Sequence, residues 1–227
     1  MQLSSKKVVL DYLRDKKFDD VLDAPSGNGW LAESLAGRAT FDGIDLYATA
    51  KGYRKIWMHD LDVPLPAECG SYDLICCCEG IEHVGNPLLL LRVFFQRLPS
   101  GGLLIVTTPN VWFPEARLQY FLRGFFPSFP CLTGKIVPGS HMHITPWSWP
   151  QLYLYLKLAG FEKMDLVHEQ MSKAKHFYEH LLAIPARLHC RSRIRKATTP
   201  DEKSFWQITS SEASLLGRHL IVAARKP

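Results

Sequence analysis

Short apolar runs, each closed by an acid or a turn residue, alternate with helical stripes along most of this chain. Val21-Leu22 lies between Asp19-Asp20 and Asp23, and the runs Thr40 to Asp45, Lys55 to Met58, Tyr72 to Cys78 and Leu103 to Thr107 follow. Runs this apolar and this short predict strands buried on both faces of a parallel sheet. Between them the apolar positions recur at helical spacing. Val8, Val9, Tyr12 and Leu13 form one stripe, opened by a Ser4 or Ser5 cap and predicted to run through about Lys16. Leu31, Ala32 and Leu35 form the next, over Trp30 to Ala36. Pro87 opens a third helix with Leu88, Leu91 and Phe94-Phe95 facing inward, closed by Pro99-Ser100-Gly101-Gly102. Trp147 to Ala159 is a fourth, stopped by Gly160. Phe161 to His168 and Arg218 to Ala224 read as two late strands. The alternation predicts an α/β fold with helices on both faces of the sheet.

Two stretches break the pattern and read as inserted cap segments, 111–142 and 172–216. The first is rich in Phe, Pro and Gly, and its aromatics are candidates either for pocket lining or for core filling. The second holds an apolar stretch from Phe177 to Ile184. Beyond Pro185 it carries Arg187, Arg191, Arg193, Arg195 and Lys196 with no acid among them. An apolar patch beside a basic cluster suits a peripheral contact with anionic lipid through 177–196. The alternative is a helix packed on the sheet followed by a solvated basic loop. Nucleic acid is disfavoured as a partner, because aromatics are not interleaved with the arginines.

Composition narrows this only a little. The 227 residues suit a single domain over 1–227, and a 47% hydrophobic, 22% charged chain is ordinary for a globular protein. The net charge of +5 permits an anionic partner without requiring one. Cys76-Cys77-Cys78 point to alternating faces of a strand and no Cys-x-x-Cys occurs, so reduced thiols and a cytoplasmic setting are expected. Lys6, Lys7 and Asp11 deny the first helix a signal-peptide core, and the longest apolar run, Leu88 to Leu91, is too short to span a bilayer.

The stretch Asp23-Ala24-Pro25-Ser26-Gly27-Asn28-Gly29 joins the first strand to a helix start. Gly27 and Gly29 let the chain bend sharply and let a ligand approach the helix N-terminus. An acid at the strand tip suits a ligand bearing an ammonium group. Asp45, 22 residues after Asp23, ends the second strand where an acid can accept from both ribose hydroxyls. The stretch resembles motif I of class I S-adenosylmethionine (SAM) methyltransferases in its Asp-x-Pro-x-Gly-x-Gly form, with Pro25 where Gly is commoner. Leu98-Pro99 through Thr108-Pro109-Asn110 is similar to the same family. The resemblance implies a Rossmann-like seven-stranded sheet, mostly parallel, with its last strand antiparallel. It also implies SAM as cofactor. Asp23 would then lie near the methionine ammonium, with Pro25, Ser26, Gly27 and Gly29 cradling the cofactor. Asp45 with Leu46 would take the ribose; Asp60 would accept from the adenine and Leu61 cover its ring. Asp62 is read as exposed.

Glu79, Glu82 and His83 stand at i, i+3 and i+4, which places them on one face if the segment is helical. Two carboxylates and an imidazole make a half-site for a divalent cation. Carboxylates suit Mg or Mn, and imidazole tilts the choice toward Mn, Fe or Zn. His141 or His143 is the candidate fourth ligand. The Glu-x-x-Glu-His run resembles that of ubiquinone-biosynthesis O-methyltransferases and of small-RNA 3′-terminal 2′-O-methyltransferases. His143, 60 residues after His83 and followed by Trp147-Ser148, matches the RNA family's arrangement; Gly80 stands where Val is usual. Without metal, His83 or His143 is the candidate base, or the cluster caps a helix. The expected reaction is O-methylation of a small-molecule, sugar or lipid-linked hydroxyl. Metal-dependent RNA 2′-O-methylation, N- or C-methylation and non-catalytic SAM binding are the alternatives.

Overall fold

Every strand expected from the apolar runs pairs into one sheet of order β3-β2-β1-β4-β5-β7-β6. The structure is a computed structural model and describes residues 5–47, 51–127, 129, 142–167, 174 and 176–227. The strands are β1 Asp20–Asp23, β2 Thr40–Asp45, β3 Lys55–Met58, β4 Leu74–Cys78, β5 Leu103–Pro109, β6 Lys163–Leu166 and β7 His219–Arg225. β1 pairs parallel with β2 and β4, β2 with β3, and β4 with β5. β7 runs antiparallel to both of its neighbours, β5 and β6. The expected mixed sheet is therefore present.

Side chains alternate across the strands, and the two resulting sets build two cores. Val21, Leu74, Cys76, Leu103 and Ile105 face one side, against Val8, Val9 and Leu13 of α1 (Ser5–Leu13) and Leu31 of α2 (Trp30–Ser34). Leu22, Ile75, Cys77, Leu104 and Val106 face the other, under α3 (Pro87–Arg97) and α5 (Trp149–Ala159). Leu90, Leu91 and Phe94 of α3 and Trp149, Leu152 and Leu156 of α5 fill that side. Helices thus cover both faces, as expected.

Several boundaries move. α1 stops at Leu13 rather than Lys16, and α2 at Ser34 rather than Ala36. β4 starts at Leu74, because the Tyr72 N–H donates to the Arg97 carbonyl instead of a strand. Trp147 precedes α5 and bridges Asn110, and Pro150 sits in the helix's first turn. β6 is only Lys163–Leu166, and His168 lies outside the described residues.

In the first cap segment, α4 (Pro114–Arg123) ends on Gly124 at φ 77, while 128, 130–141 and with them His141 lie outside the described residues. The second carries α6 (Phe177–Leu182), α7 (Ile184–Lys196), α8 (Pro200–Thr209) and α9 (Glu212–Leu215). The basic run 187–196 is helix, not loop. Glu179, fully buried on α6, takes both guanidinium nitrogens of Arg218 at 2.8 and 2.9 Å and so ties the segment to the start of β7.

Candidate active site

The carboxyl ends of β1, β2, β3 and β4 converge on one cavity of about 600 Å³. That is the size and place expected of a cofactor site in an open α/β sheet. The turn after β1 supplies Pro25, Ser26 and Gly27; β2 supplies Asp45 and Leu46; the loop after β3 supplies Asp60 and Leu61. Glu79, Gly80 and His83, after β4, close the far side. Gly27 has φ 53 and Gly29 φ 80, the left-handed region that favours glycine, so the tight turn needs both. The turn is pinned to β2. Ser26 N–H donates to the Ile44 carbonyl at 2.8 Å, and Gly27 N–H donates to Asp45 Oδ2 at 2.9 Å. Asp45 Oδ1 accepts from Tyr47 N–H, which fixes the carboxylate at the cavity wall.

Asp23 and Gly29 do not line the cavity. Asp23 is fully buried beneath the turn, where Tyr53 Oη donates to its Oδ2 at 2.7 Å. Burial, then the Asp45 charge, push its pKa up to about 8 against the Tyr53 hydrogen bond. Its Oδ1 and the Ser26 hydroxyl have no hydrogen-bond partner among the described residues. Of the two, only the Ser26 hydroxyl belongs to a residue that lines the cavity, where it fits a polar ligand. Tyr53 was not foreseen. Gly43 was its signal, since a Cβ there would sit 3.0 Å from the Tyr53 ring. Asp60 is exposed on the cavity wall, and its Oδ1 accepts from Asp62 N–H. Asp62 is not merely exposed: its Oδ1 accepts from Asn86 N–H at 2.7 Å, at the N-cap of α3.

The expected single face of Glu79, Glu82 and His83 does not form. Glu79 takes φ 52, and only Ile81–His83 makes a 3₁₀ turn. The Glu79 carboxylate turns instead to Thr107, whose hydroxyl donates to Oε1 at 2.8 Å, and to His219 Nε2, 3.6 Å from Oε2. Thr107 and His219 belong to β5 and β7, and nothing near Glu79 in sequence announced them.

Glu82, His83 and His143 do meet: one ligand atom from each lies within 4.8 Å of the others. The Glu82 backbone brings this about. Its carbonyl accepts from Ile144 N–H and Thr145 N–H at 2.9 and 3.0 Å and so fastens the segment carrying His143. The His83 and His143 rings stand 4.9 Å apart, edge to face. His83 Nδ1 lies 2.8 Å from the Met142 carbonyl; a carbonyl only accepts, so Nδ1 is the donor, and in the neutral ring Nε2 then carries the lone pair. Glu82 is buried and receives the Thr108 hydroxyl at 2.9 Å. Burial, then the Glu79 charge, push its pKa up to about 8. Burial, then His83, lower that of His143. The cluster is thus one buried carboxyl and two half-buried imidazoles. An acid and two nitrogen ligands, one oriented by a backbone carbonyl, fit a divalent cation.

Of the aromatics in the first cap segment, Phe129 stands edge-on to His143 at 5.9 Å, and Tyr120 stacks on Phe126 at 4.4 Å. Trp112 packs on Ala183 and Leu215, so it fills the joint between the two segments. Among the described residues no helix is long and apolar enough to cross a membrane.

A sheet of this order, with a glycine turn after β1 and acids at the tip of β2 and after β3, defines a class I SAM-dependent methyltransferase. Comparison with known proteins agrees. A family model described as a methyltransferase domain matches residues 4–166, and the chain belongs to that family. The ubiquinone biosynthesis O-methyltransferase of Dechloromonas aromatica is 32% identical over 167 residues, covering 65% of this chain and 66% of that protein. The enzyme of the same name from Vibrio parahaemolyticus is 33% identical over 136 residues, covering 54% and 55%. The chain thus matches between about half and two thirds of the length of these relatives. Among solved structures, a Thermotoga maritima SAM-dependent methyltransferase, described as a possible histamine N-methyltransferase, superposes with a TM-score of 0.57 at 14% identity, covering 97% of this chain and 87% of its own. The N-methyltransferase NodS of Bradyrhizobium japonicum, solved with S-adenosyl-L-homocysteine, gives 0.51 at 12%, covering 98% and 85%. At such identities these two share the fold.

Proposed function

We propose that this SAM-dependent methyltransferase methylates a hydroxyl oxygen of a small-molecule, glycan or lipid-linked acceptor. The observation that carries the reading is the Glu82–His83–His143 cluster beside the cavity. An amine can attack as its neutral form, whereas a hydroxyl must lose its proton to become a good nucleophile. SAM supplies a methyl group on a sulfonium, which is its own leaving group. The protein's work is then to hold the two reactants in line and to take the proton. In this reading Asp45 with Leu46 holds the ribose, and Asp60 with Leu61 the adenine. Gly27 and Gly29 let the chain approach the cofactor, with Pro25 and Ser26 between them and Asp23, which lies under the ammonium end. His83 Nε2, or His143, accepts the acceptor's proton. Glu82, His83 and His143 are also the residues that would hold a divalent cation, whose charge would lower the pKa of a bound hydroxyl. The ubiquinone-biosynthesis relatives support oxygen as the acceptor atom only weakly.

Methyl-labelled SAM offered with matched panels of phenols, sugars and amines tests this. Label recovered as methyl ether, and lost in His83→Ala, is the expected result. Label recovered only on nitrogen or carbon would overturn it.

A further inference from the structure

The described surface carries one large apolar face that neither the cavity nor the core uses. On α4, Leu118, Phe121 and Leu122 point outward, Phe121 at 85% and Leu122 at 71% exposed. On α6, Phe177, at 81%, and Leu181 stand one turn apart and exposed. Ile184 and Leu188 of α7 are exposed too, at i+3 and i+7 from Leu181, and α6 and α7 are in contact across Ala183, whose backbone is helical. The helices are joined: α4 and α6 are in contact, and Arg117 of α4 donates to the Leu182 carbonyl. A monomeric soluble protein rarely leaves large apolar side chains together in this way.

A basic stripe borders this face. Arg191 and Arg195 follow Leu188 at i+3 and i+7, so they share its side of α7. The whole of Ile184–Lys196 contains no acid. Arg187 and Arg193 each approach a glutamate, Glu212 and Glu202. Among the described residues, Arg191, Arg195 and Lys196 form no ion pair.

The face also has a definite place. α4 leaves the carboxyl end of β5, and the Glu179–Arg218 pair holds α6 at the amino end of β7. Those ends are adjacent, because Pro109 pairs with His219. This is the end of the sheet at which the cavity opens.

From this we infer that the α4–α6–α7 face docks the protein on an anionic lipid bilayer, with the aromatic and leucine tips in the headgroup boundary and the arginines on the phosphates. Two features select this occupant. Apolar tips flanked by unpaired arginines are complementary to a surface that is apolar within and negative at its edge. A second copy of this chain would set the same arginine stripe against itself. Docking would turn the cavity toward the bilayer and favour amphiphilic acceptors.

Co-flotation of the whole protein with vesicles tests the inference, and it needs no methyl transfer. Expected is binding to phosphatidylglycerol vesicles at low salt, falling steeply with salt and absent from pure phosphatidylcholine. Phe121→Ser with Phe177→Ser should weaken it at least about tenfold. Arg191→Ser, Arg195→Ser and Lys196→Ser should each weaken it by roughly fivefold. SAM affinity, measured in parallel, should stay unchanged in all five substitutions, which separates this inference from the catalytic reading. No flotation at low salt overturns it. So does binding that is indifferent to lipid charge and to these substitutions, or lipid-free self-association that Phe121→Ser abolishes.

Discussion

A Cβ on Gly80 would lie 2.2 Å from Pro25 Cδ and 2.7 Å from Pro25 Cγ. Gly80 has φ −130, so its backbone does not call for glycine; the space does. In this chain Pro25 and Gly80 therefore depend on each other. The ring of Pro25 fills the volume that a side chain at 80 would need, and it joins the turn after β1 to the turn after β4.

Gly80→Ala should accordingly destabilise the fold by about 1–3 kcal/mol through overpacking. Pro25→Gly should restore part of that loss. Urea unfolding of the two single variants and the double variant closes the cycle, and a coupling of about 1 kcal/mol or more is expected. Strictly additive losses would mean that the two residues do not share this space.

The strands were legible because buried parallel strands are short apolar runs, and Leu74 to Cys78 or Leu103 to Val106 can hardly be read otherwise. The cavity was legible because its walls are strand tips. Pairs that join distant segments were not. Thr107 to Glu79, Thr108 to Glu82 and Arg218 to Glu179 span 28, 26 and 39 residues, and no local spacing encodes them. Glu79 misled for another reason. The i, i+3, i+4 rule presumes helix, and its φ of 52 breaks the helix one residue before Gly80. In α7 the apolar residues do not gather on one face, so the basic run looked like a loop. α4 had a readable Pro114 at its start and Gly124 at its end.

The Arg218–Glu179 pair predicts how the second cap segment is held. Glu179 is fully buried, and the Arg218 side chain is 16% exposed. Glu179 Oε1 also accepts from His176 N–H. Removing one partner from a buried pair leaves an uncompensated charge, which costs about 3–5 kcal/mol. Arg218→Met should therefore make α6 and α7 susceptible to protease under conditions where the wild type resists. Equal resistance would show that the packing of Trp112 on Ala183 and Leu215, with the Arg117–Leu182 and Asn110–Ser214 hydrogen bonds, holds the segment without this pair.

Asp23 predicts a pH dependence of stability. Its pKa rises from 3.8 to about 8 on folding, chiefly through burial. The folded protein therefore binds this proton more tightly than the unfolded chain. Below about pH 4 both states are protonated and the group costs nothing. As pH climbs toward 8 the unfolded chain releases the proton while the folded one must keep it, so stability falls. Above 8 the loss is complete. Asp23→Asn, neutral at every pH, should flatten this slope in urea titrations between pH 5 and 8. An unchanged slope would mean that Asp23 ionises normally in place.

Asp45 both closes the turn and faces the cavity. Its oxygens accept from Gly27 and Tyr47 N–H groups, and each retains a second lone pair for a ribose hydroxyl. Asp45→Ala should weaken SAM and S-adenosylhomocysteine by about 1.5–3 kcal/mol, ten- to a hundredfold by calorimetry. Asp60→Ala should cost less, because Asp60 is exposed. Unaltered affinity in Asp45→Ala would remove the ribose from this position.

The metal proposal can be tested against the geometry, because sequence spacing and structure name different ligand sets. Spacing joins Glu79 to Glu82 and His83, and the family resemblance adds His143. The structure brings the last three together and ties Glu79 to Thr107 and His219. Elemental analysis of the protein as purified, after exchange into metal-free buffer, is expected to find about one Mn, Fe or Zn per chain, since two of the three ligands are imidazoles. Glu82→Gln and His143→Ala should each lose it, by more than the roughly 10–100-fold that follows loss of an outer-shell partner. Glu79→Gln should retain it, because the amide oxygen can still accept from Thr107. Metal lost from Glu79→Gln as completely as from Glu82→Gln would restore the four-ligand set. Full turnover in excess chelator, with His143→Ala as active as wild type, would leave His83 Nε2 as the proton acceptor without metal.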